Sequence, residues 1–240
     1  MPSKKKKAKQ QLSLGISQAL QNDAKTLFTN IRFSSLDDDI HTILVTSSVP
    51  NEGKTTAAIN LAAAIASSTQ RVCLVETDMR RRSAATALNV HPANGLYAYL
   101  SGQVSLQDII TPTMQPSLYF IDCEPSIPNP ADILGSKRFA GFVKDLEKEF
   151  SYVVFDTPPL GSFVDAAILS TLVDGVLLVI KKDFTKRKAV FTTLDQLNKV
   201  NAHVLGTVMT YCDNNESDYY YAYYQQTTDE AGHVKRSRVR

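Results

Sequence analysis

The stretch SVPNEGKTT, Ser48 to Thr56, holds residues suited to gripping a phosphate. Its Gly53-Lys54-Thr55 core has the spacing of a phosphate loop, with Ser48 where the first glycine usually stands. Glycine at position 53 lets the backbone pass close to an anion, and the amides entering the following helix point at it. Lys54 supplies a point charge for the terminal phosphates, and the Thr55 hydroxyl is a ligand for magnesium. Asn51, Glu52, Gly53, Lys54, Thr55 and Thr56 are therefore expected to wrap the nucleotide.

Two acidic stretches could complete that chemistry. VETDMRRR, Val75 to Arg82, carries Glu76 and Asp78 two positions apart, so strand alternation points both to one side. They could arrange magnesium and its waters or take a proton from an attacking hydroxyl. Taken alone, the stretch reads equally as a polar loop salt-bridged to an arginine. YVVFDTPP, Tyr152 to Pro159, delivers Asp156 at a strand tip, a placement that orients magnesium, followed by a rigid turn at Thr157. Lys54, Glu76, Asp78 and Asp156 are the expected catalytic set, with Thr55, Asp78 and Asp156 as the metal ligands.

The elements that must position these groups alternate along the chain. Strands are expected over 41–48, 71–76, 117–122, 152–156, 175–180 and 204–210. Helices are expected over 55–68, 131–150 and about 186–199. Short apolar β-branched runs separated by helices imply an α/β fold: a mostly parallel central sheet with helices on both faces. Ligands in such folds gather at the carboxyl ends of the strands, where all three stretches fall.

Composition narrows the class. With 240 residues and 43% apolar content, the chain suits one large globular domain, and a net charge of +2 argues against a nucleic-acid partner. The basic residues cluster at Lys4 to Lys7, Arg80 to Arg82, Lys181 to Lys188 and the terminal KRSRVR. Three dispersed cysteines, Cys73, Cys123 and Cys212, suggest a reducing compartment and no zinc site. No apolar run is long enough to span a bilayer. The four histidines have no partners at ligand spacing, and no Gly-x-Gly-x-x-Gly favours a dinucleotide. The expected division is a basic arm over 1–11, a nucleotide-binding domain over 12–212 and a polar tail over 213–240.

That tail holds Tyr219, Tyr220, Tyr221, Tyr223 and Tyr224 within six positions, at no structural period and with polar neighbours. An exposed phenol is a phosphate acceptor, although the cluster could also dock a partner.

Together these segments resemble the cytoplasmic domain of the bacterial tyrosine kinases of capsule and exopolysaccharide synthesis, a branch of the deviant phosphate-loop ATPases. The resemblance rests on TNIRF (29–33), VTSSVPNEGKTTAAINLA (45–62), VETDMRRR, NGLYAYLSG (94–102), PSIPNPADIL (125–134), YVVFDTPPLGSFVDAAIL (152–169), VDGVLLVI (173–180) and the tyrosine cluster. It implies an ATP- and Mg2+-dependent protein-tyrosine kinase that autophosphorylates the tail tyrosines between subunits. It also implies a homo-oligomer, a separate transmembrane adaptor of the polysaccharide chain-length type, an opposing tyrosine phosphatase, and a cytoplasmic place at the membrane through the adaptor.

The chain departs from the family pattern at four places. Glu76 replaces the usual aspartate; a carboxylate moved by about 1 Å can cost ~100-fold in a transfer reaction. Asn22, Lys25 and Phe28 stand where the family has its charged ring-forming motif. Thr210 replaces an adenine-side asparagine, and Arg82 replaces a proline, leaving a cation that could engage phosphate, adaptor or tail. Two other functions stay open: a partition-type ATPase switch, and a nucleotide-binding scaffold of the polysaccharide assembly complex.

Overall fold

The structure is a computed structural model that describes residues 18–34, 39–125 and 127–212. The chain divides into two units, Met1–Thr210 and Tyr211–Arg240; of the second, only Tyr211 and Cys212 are described, both exposed. The expected arm over 1–11 and the five tail tyrosines lie outside the described residues.

Elements follow in the order α1 (Gln18–Ser34), β1 (Thr42–Ser47), α2 (Lys54–Ser67), β2 (Val72–Glu76), α3 (Ala84–Leu88) and α4 (Leu96–Leu100). Then come β3 (Thr111–Pro112), β4 (Leu118–Ile121), α5 (Pro130–Leu134), α6 (Lys137–Glu149), β5 (Tyr152–Asp156), α7 (Asp165–Leu169), β6 (Gly175–Lys181), α8 (Arg187–Lys199) and β7 (Val204–Thr210). The described strands form one sheet in the order β3-β4-β2-β5-β1-β6-β7. Every pairing is parallel except β3 with β4, so the mostly parallel sheet expected from the sequence is present. The exception is two residues long and includes Pro112, which suits an edge because proline cannot donate to a ladder.

All residues of β1 and β2 are buried, as expected for central strands covered on both faces. Alternate residues feed two cores. Ile43, Val45, Leu74 and Val154 pack with α1 and α2, while Leu44, Cys73, Val75, Val153 and Phe155 pack with α4, α6 and α7. On α1, Phe28 enters the first core and meets Tyr152 edge-on, with ring centroids 5.2 Å apart. Among the three positions of the family's ring motif, Phe28 is thus a core residue, Lys25 is exposed and Asn22 is half-buried.

The single helix expected over 131–150 is two helices. After α5 the chain pauses at Gly135 and restarts at Ser136, whose hydroxyl accepts the Phe139 amide at 3.1 Å as an N-cap. Apolar periodicity runs through the break and conceals it.

The β1–β5–β2 centre fixes the site. Glu76 and Asp156 are register partners at the ends of β2 and β5, and β1 runs beside β5 into the phosphate loop. The β5–α7 loop is fastened over that end: Thr157 N–H donates to Val45 O, Thr46 Oγ1 to Pro158 O and Leu160 N–H to Ser47 O. The approach at Gly161 is closest, since a Cβ there would stand 2.1 Å from Ser48 O.

Candidate active site

The loop between β1 and α2 turns through two left-handed residues, Asn51 (φ 66°) and Gly53 (φ 86°). Asparagine tolerates that region and glycine has no Cβ to oppose it. At Gly53 the helix start has no side-chain cap, and the first turn of α2 holds no acidic residue. Its free amides and positive dipole end are left for an anion.

Lys54 is the centre of the charge cluster. Its Nζ lies 3.1 Å from Asp78 Oδ2 and 3.3 Å from Asp156 Oδ1, joining the acid after β2 to the acid ending β5. It also lies 3.4 Å from Thr55 Oγ1. Burial alone would lower its pKa, but Asp156, then Asp78 and Glu76, outweigh burial and hold the ammonium above its ordinary range. Asp156 is fully buried, which raises its pKa against the opposing pull of Lys54 and Thr55.

Three of the expected residues have unexpected jobs. Glu76 is buried; its Oε1 accepts the Asp78 amide at 3.1 Å, and its Oε2 accepts the amides of Ser83 at 3.0 Å and Ala84 at 3.1 Å. Burial, then the Asp156 charge, push its pKa up to about 8 against the lowering effect of the Ser83 and Ala84 amides and Lys54. Through these bonds Glu76, at the end of β2, closes the 77–83 loop onto the start of α3. Glu52 also turns inward: Oε2 accepts the Val49 amide at 2.8 Å and Oε1 accepts the Thr185 hydroxyl, so its side chain braces the phosphate loop. Thr210, the expected adenine-side residue, donates its hydroxyl to Glu52 O at 2.6 Å and buttresses the same loop.

The three arginines after Asp78 reach three separate places. Arg80 makes a two-pronged pair with Asp165 at 3.1 and 3.3 Å and stacks 4.0 Å from the Phe163 ring centroid. Arg81 donates to Asn51 Oδ1 at 3.0 Å. Arg82 pairs with Asp122 at the tip of β4, a bond that raises its pKa.

Sequence reasoning brought Lys54, Thr55, Asp78 and Asp156 together, and they do converge. It missed Ser83, whose hydroxyl donates to Thr55 Oγ1 at 3.1 Å, and Thr185, for which spacing holds no signal. Asp122 was within reach, because it ends a strand as Asp156 does. Thr56 is exposed on α2, on the solvent side of Thr55.

Magnesium fits these residues. Asp156 Oδ2 is buried with no hydrogen-bond partner, and Thr55 and Asp78 add hard oxygen donors. Among the described residues no group of three His, Cys, Asp or Glu could hold a metal ion.

Residues 41–207 match the family described as AAA domain. The tyrosine-protein kinase YwqD of Bacillus subtilis (strain 168) is 31% identical over 185 residues, covering 77% of this chain and 78% of that protein. The chain belongs to the bacterial tyrosine-protein kinases. A second relative of this kinase is the tyrosine-protein kinase CpsD of Streptococcus pneumoniae serotype 4, 32% identical over 197 residues, covering 80% of this chain and 85% of the other. Among solved structures, the chimerical protein CapA2B2 superposes with a TM-score of 0.75 at 28% identity, over 78% of this kinase and 83% of that chain. The kinase domain of Escherichia coli tyrosine kinase ETK gives 0.75 at 25% identity, over 80% and 77%. The septum-site protein MinD of Pyrococcus horikoshii with Mg-ADP, at 20% identity and a TM-score of 0.61, shares the fold alone.

Proposed function

We propose that this kinase transfers the terminal phosphoryl group of ATP to tyrosine hydroxyls, its own Tyr219, Tyr220, Tyr221, Tyr223 and Tyr224 first, on behalf of capsular or exopolysaccharide synthesis. The observation that carries the reading is Lys54 suspended between Asp78 and Asp156 at the mouth of an uncapped, left-handed phosphate loop. Family membership supports the reaction class.

The loop from Asn51 to Thr56 cradles the phosphates through its backbone, and Lys54 neutralises charge on the terminal group. Thr55, Asp78 and Asp156 would hold Mg2+, which would supply positive charge against the phosphates. Of the two acids on Lys54, Asp78 keeps 5% side-chain exposure and Asp156 none, so Asp78 receives the phenol proton while Asp156 stays an interior anchor. Orientation does the remaining work, since an in-line phenol on a tail can enter a neighbouring subunit's site.

Each phosphate adds roughly 1.5 to 2 negative charges, so a fully modified cluster gains about 7 to 10 and repels both the acidic site and other modified tails. Assembly and release of a homo-oligomer would then follow the phosphorylation state, with a tyrosine phosphatase resetting it. No described helix is long and apolar enough to cross a membrane. A transmembrane adaptor of the chain-length type would hold the kinase at the cytoplasmic face.

The test is intact mass after incubation with ATP and magnesium, with and without the adaptor's cytoplasmic tail, beside Lys54→Ala. Stepwise additions on the tail tyrosines, absent from the variant, are expected. Phosphate release without phosphotyrosine would replace the kinase with an ATPase switch, and nucleotide binding with neither would leave a scaffold.

A further inference from the structure

The segment KKDFTKRKAVF, residues 181–191, carries five cations against one carboxylate, Asp183, and joins β6 to the first turns of α8. Lys186, Arg187 and Lys188 are exposed, and none of the three is in an ion pair with a described carboxylate. Beside them stand two exposed phenylalanines, Phe184 at 50% and Phe191 at 57%. Arg187 lies 5.2 Å from the Phe191 ring centroid, and Lys181 lies 5.0 Å from that of Phe184. Arg187, Lys188 and Phe191 lie within the first turns of α8, at the i, i+3 and i, i+4 spacings that bring side chains together, and Phe184 sits in the turn just before the N-cap, Lys186.

The exposed cations and rings of this segment sit where the fold gains little from them. Three cations at the cap and first two positions of α8 oppose the helix dipole, and no acidic residue in the first turn offsets them. Two phenylalanines half or more in water forgo the burial that would recommend them. Cations and bare hydrocarbon rings together do fit an anionic bilayer surface, where cations meet lipid phosphates and the rings enter the headgroup boundary.

We infer that the 184–191 surface binds directly to an anionic lipid membrane. Single-stranded nucleic acid also takes cations and rings, but the chain's net charge of only +2 gives a polyanion little long-range attraction. A membrane needs only the local charge. The contact would also aim the catalytic end of the sheet. Thr185, inside the patch, donates its hydroxyl to Glu52 of the phosphate loop and accepts the Lys181 amide at 2.9 Å, so patch and nucleotide loop are joined. The lipid-facing surface and the phosphate loop thus lie at the same end of the molecule.

The inference stands independently of the kinase reading, and its test reads lipid rather than phosphate. Purified full chain is sedimented with vesicles of phosphatidylcholine alone, or of equal parts phosphatidylglycerol and phosphatidylcholine, at physiological salt. Binding to the anionic vesicles only, weakening as salt rises, is expected. Replacing Lys186, Arg187 and Lys188 by glutamine should lower partitioning about 100-fold, at roughly fivefold per cation. Phe184→Ser with Phe191→Ser should weaken binding without altering its salt dependence, and serves as the second variant should the first misfold. Autophosphorylation in solution should survive both. No binding by the unaltered chain overturns the inference, as does binding lost only when the lysines at 4–7 and Lys9 become alanine. A shift of short DNA or RNA that requires the same cations, with vesicles left unbound, reassigns the patch to nucleic acid and equally overturns it.

Discussion

Replacing Glu76 by aspartate should damage this kinase. The side chain shortens by one carbon–carbon bond, about 1.5 Å. The Ser83 and Ala84 amides, now 3.0 and 3.1 Å from Oε2, would then lie beyond hydrogen-bond range. Each is a bond to an acid that its raised pKa of about 8 keeps largely protonated at neutral pH, so the bond itself is worth about 0.5–1.5 kcal/mol, and its loss strands a buried amide at a cost of about 1–3 kcal/mol. With partial relaxation of the 77–83 loop, a net loss of ~2–4 kcal/mol is expected, which for a domain of this size lowers Tm by roughly 5–15 °C. Glutamine keeps the length, one accepting oxygen and the neutral state of the side chain, so Glu76→Gln should lose less than Glu76→Asp. Calorimetry of the metal-free protein orders the three, and titration with Mg-ADP reports whether freeing Ser83 also disturbs Thr55. An aspartate variant that melts within about 2 °C of the parent and phosphorylates faster would refute the clip. It would show that the longer acid is misplaced and costs activity.

Two more outcomes follow from the same coordinates. Burial raises the Glu76 pKa from an ordinary 4.5 to about 8, so between those values the native state binds more protons than the unfolded chain. Stability should therefore be fully present below the window and decline as pH rises through it, by up to ~1.4 kcal/mol per unit. Urea midpoints of the metal-free protein at about pH 5 and pH 8 should fall in that order, less so in Glu76→Gln, and a midpoint that rises with pH sinks the assignment. Gly161→Ala places a methyl group 2.1 Å from Ser48 O and should force the β5–α7 loop off the phosphate loop. Overpacking of that kind costs about 1–3 kcal/mol, and weaker ATP binding is expected alongside; calorimetry showing neither would mean the loops can part freely.

The sheet was legible because its central strands are buried on both faces and read as unbroken apolar runs, as in TILVTS and YVVFD. The acids at their tips were legible for the same reason, since a carboxylate ending such a run has nowhere else to face. What stayed hidden were partners far along the chain. Alternation gave the side of the sheet on which Glu76 lies, but not that amides seven and eight positions later would occupy its oxygens. Glu52 was grouped with the nucleotide contacts because it sits among them in sequence; its engagement by Thr185 depends on a crossover between elements over 100 residues apart. The break between α5 and α6 was concealed by an apolar period that continues across Gly135 and Ser136.

Arg80, Arg81 and Arg82 are consecutive, yet they moor one short loop to α7, to the phosphate loop and to the tip of β4. A loop with three moorings moves as a latch rather than as a hinge. Each tie holds the loop where the other two can form, so Asp78 should have two discrete positions and little between them. Energetically, the three ties should be far from independent. Cutting any one should weaken the rest, and paired substitutions at Arg80 and Arg82 should cost less than their separate effects added together. The loop that carries Asp78 is thus tied at once to α7, to the phosphate loop and to the tip of β4.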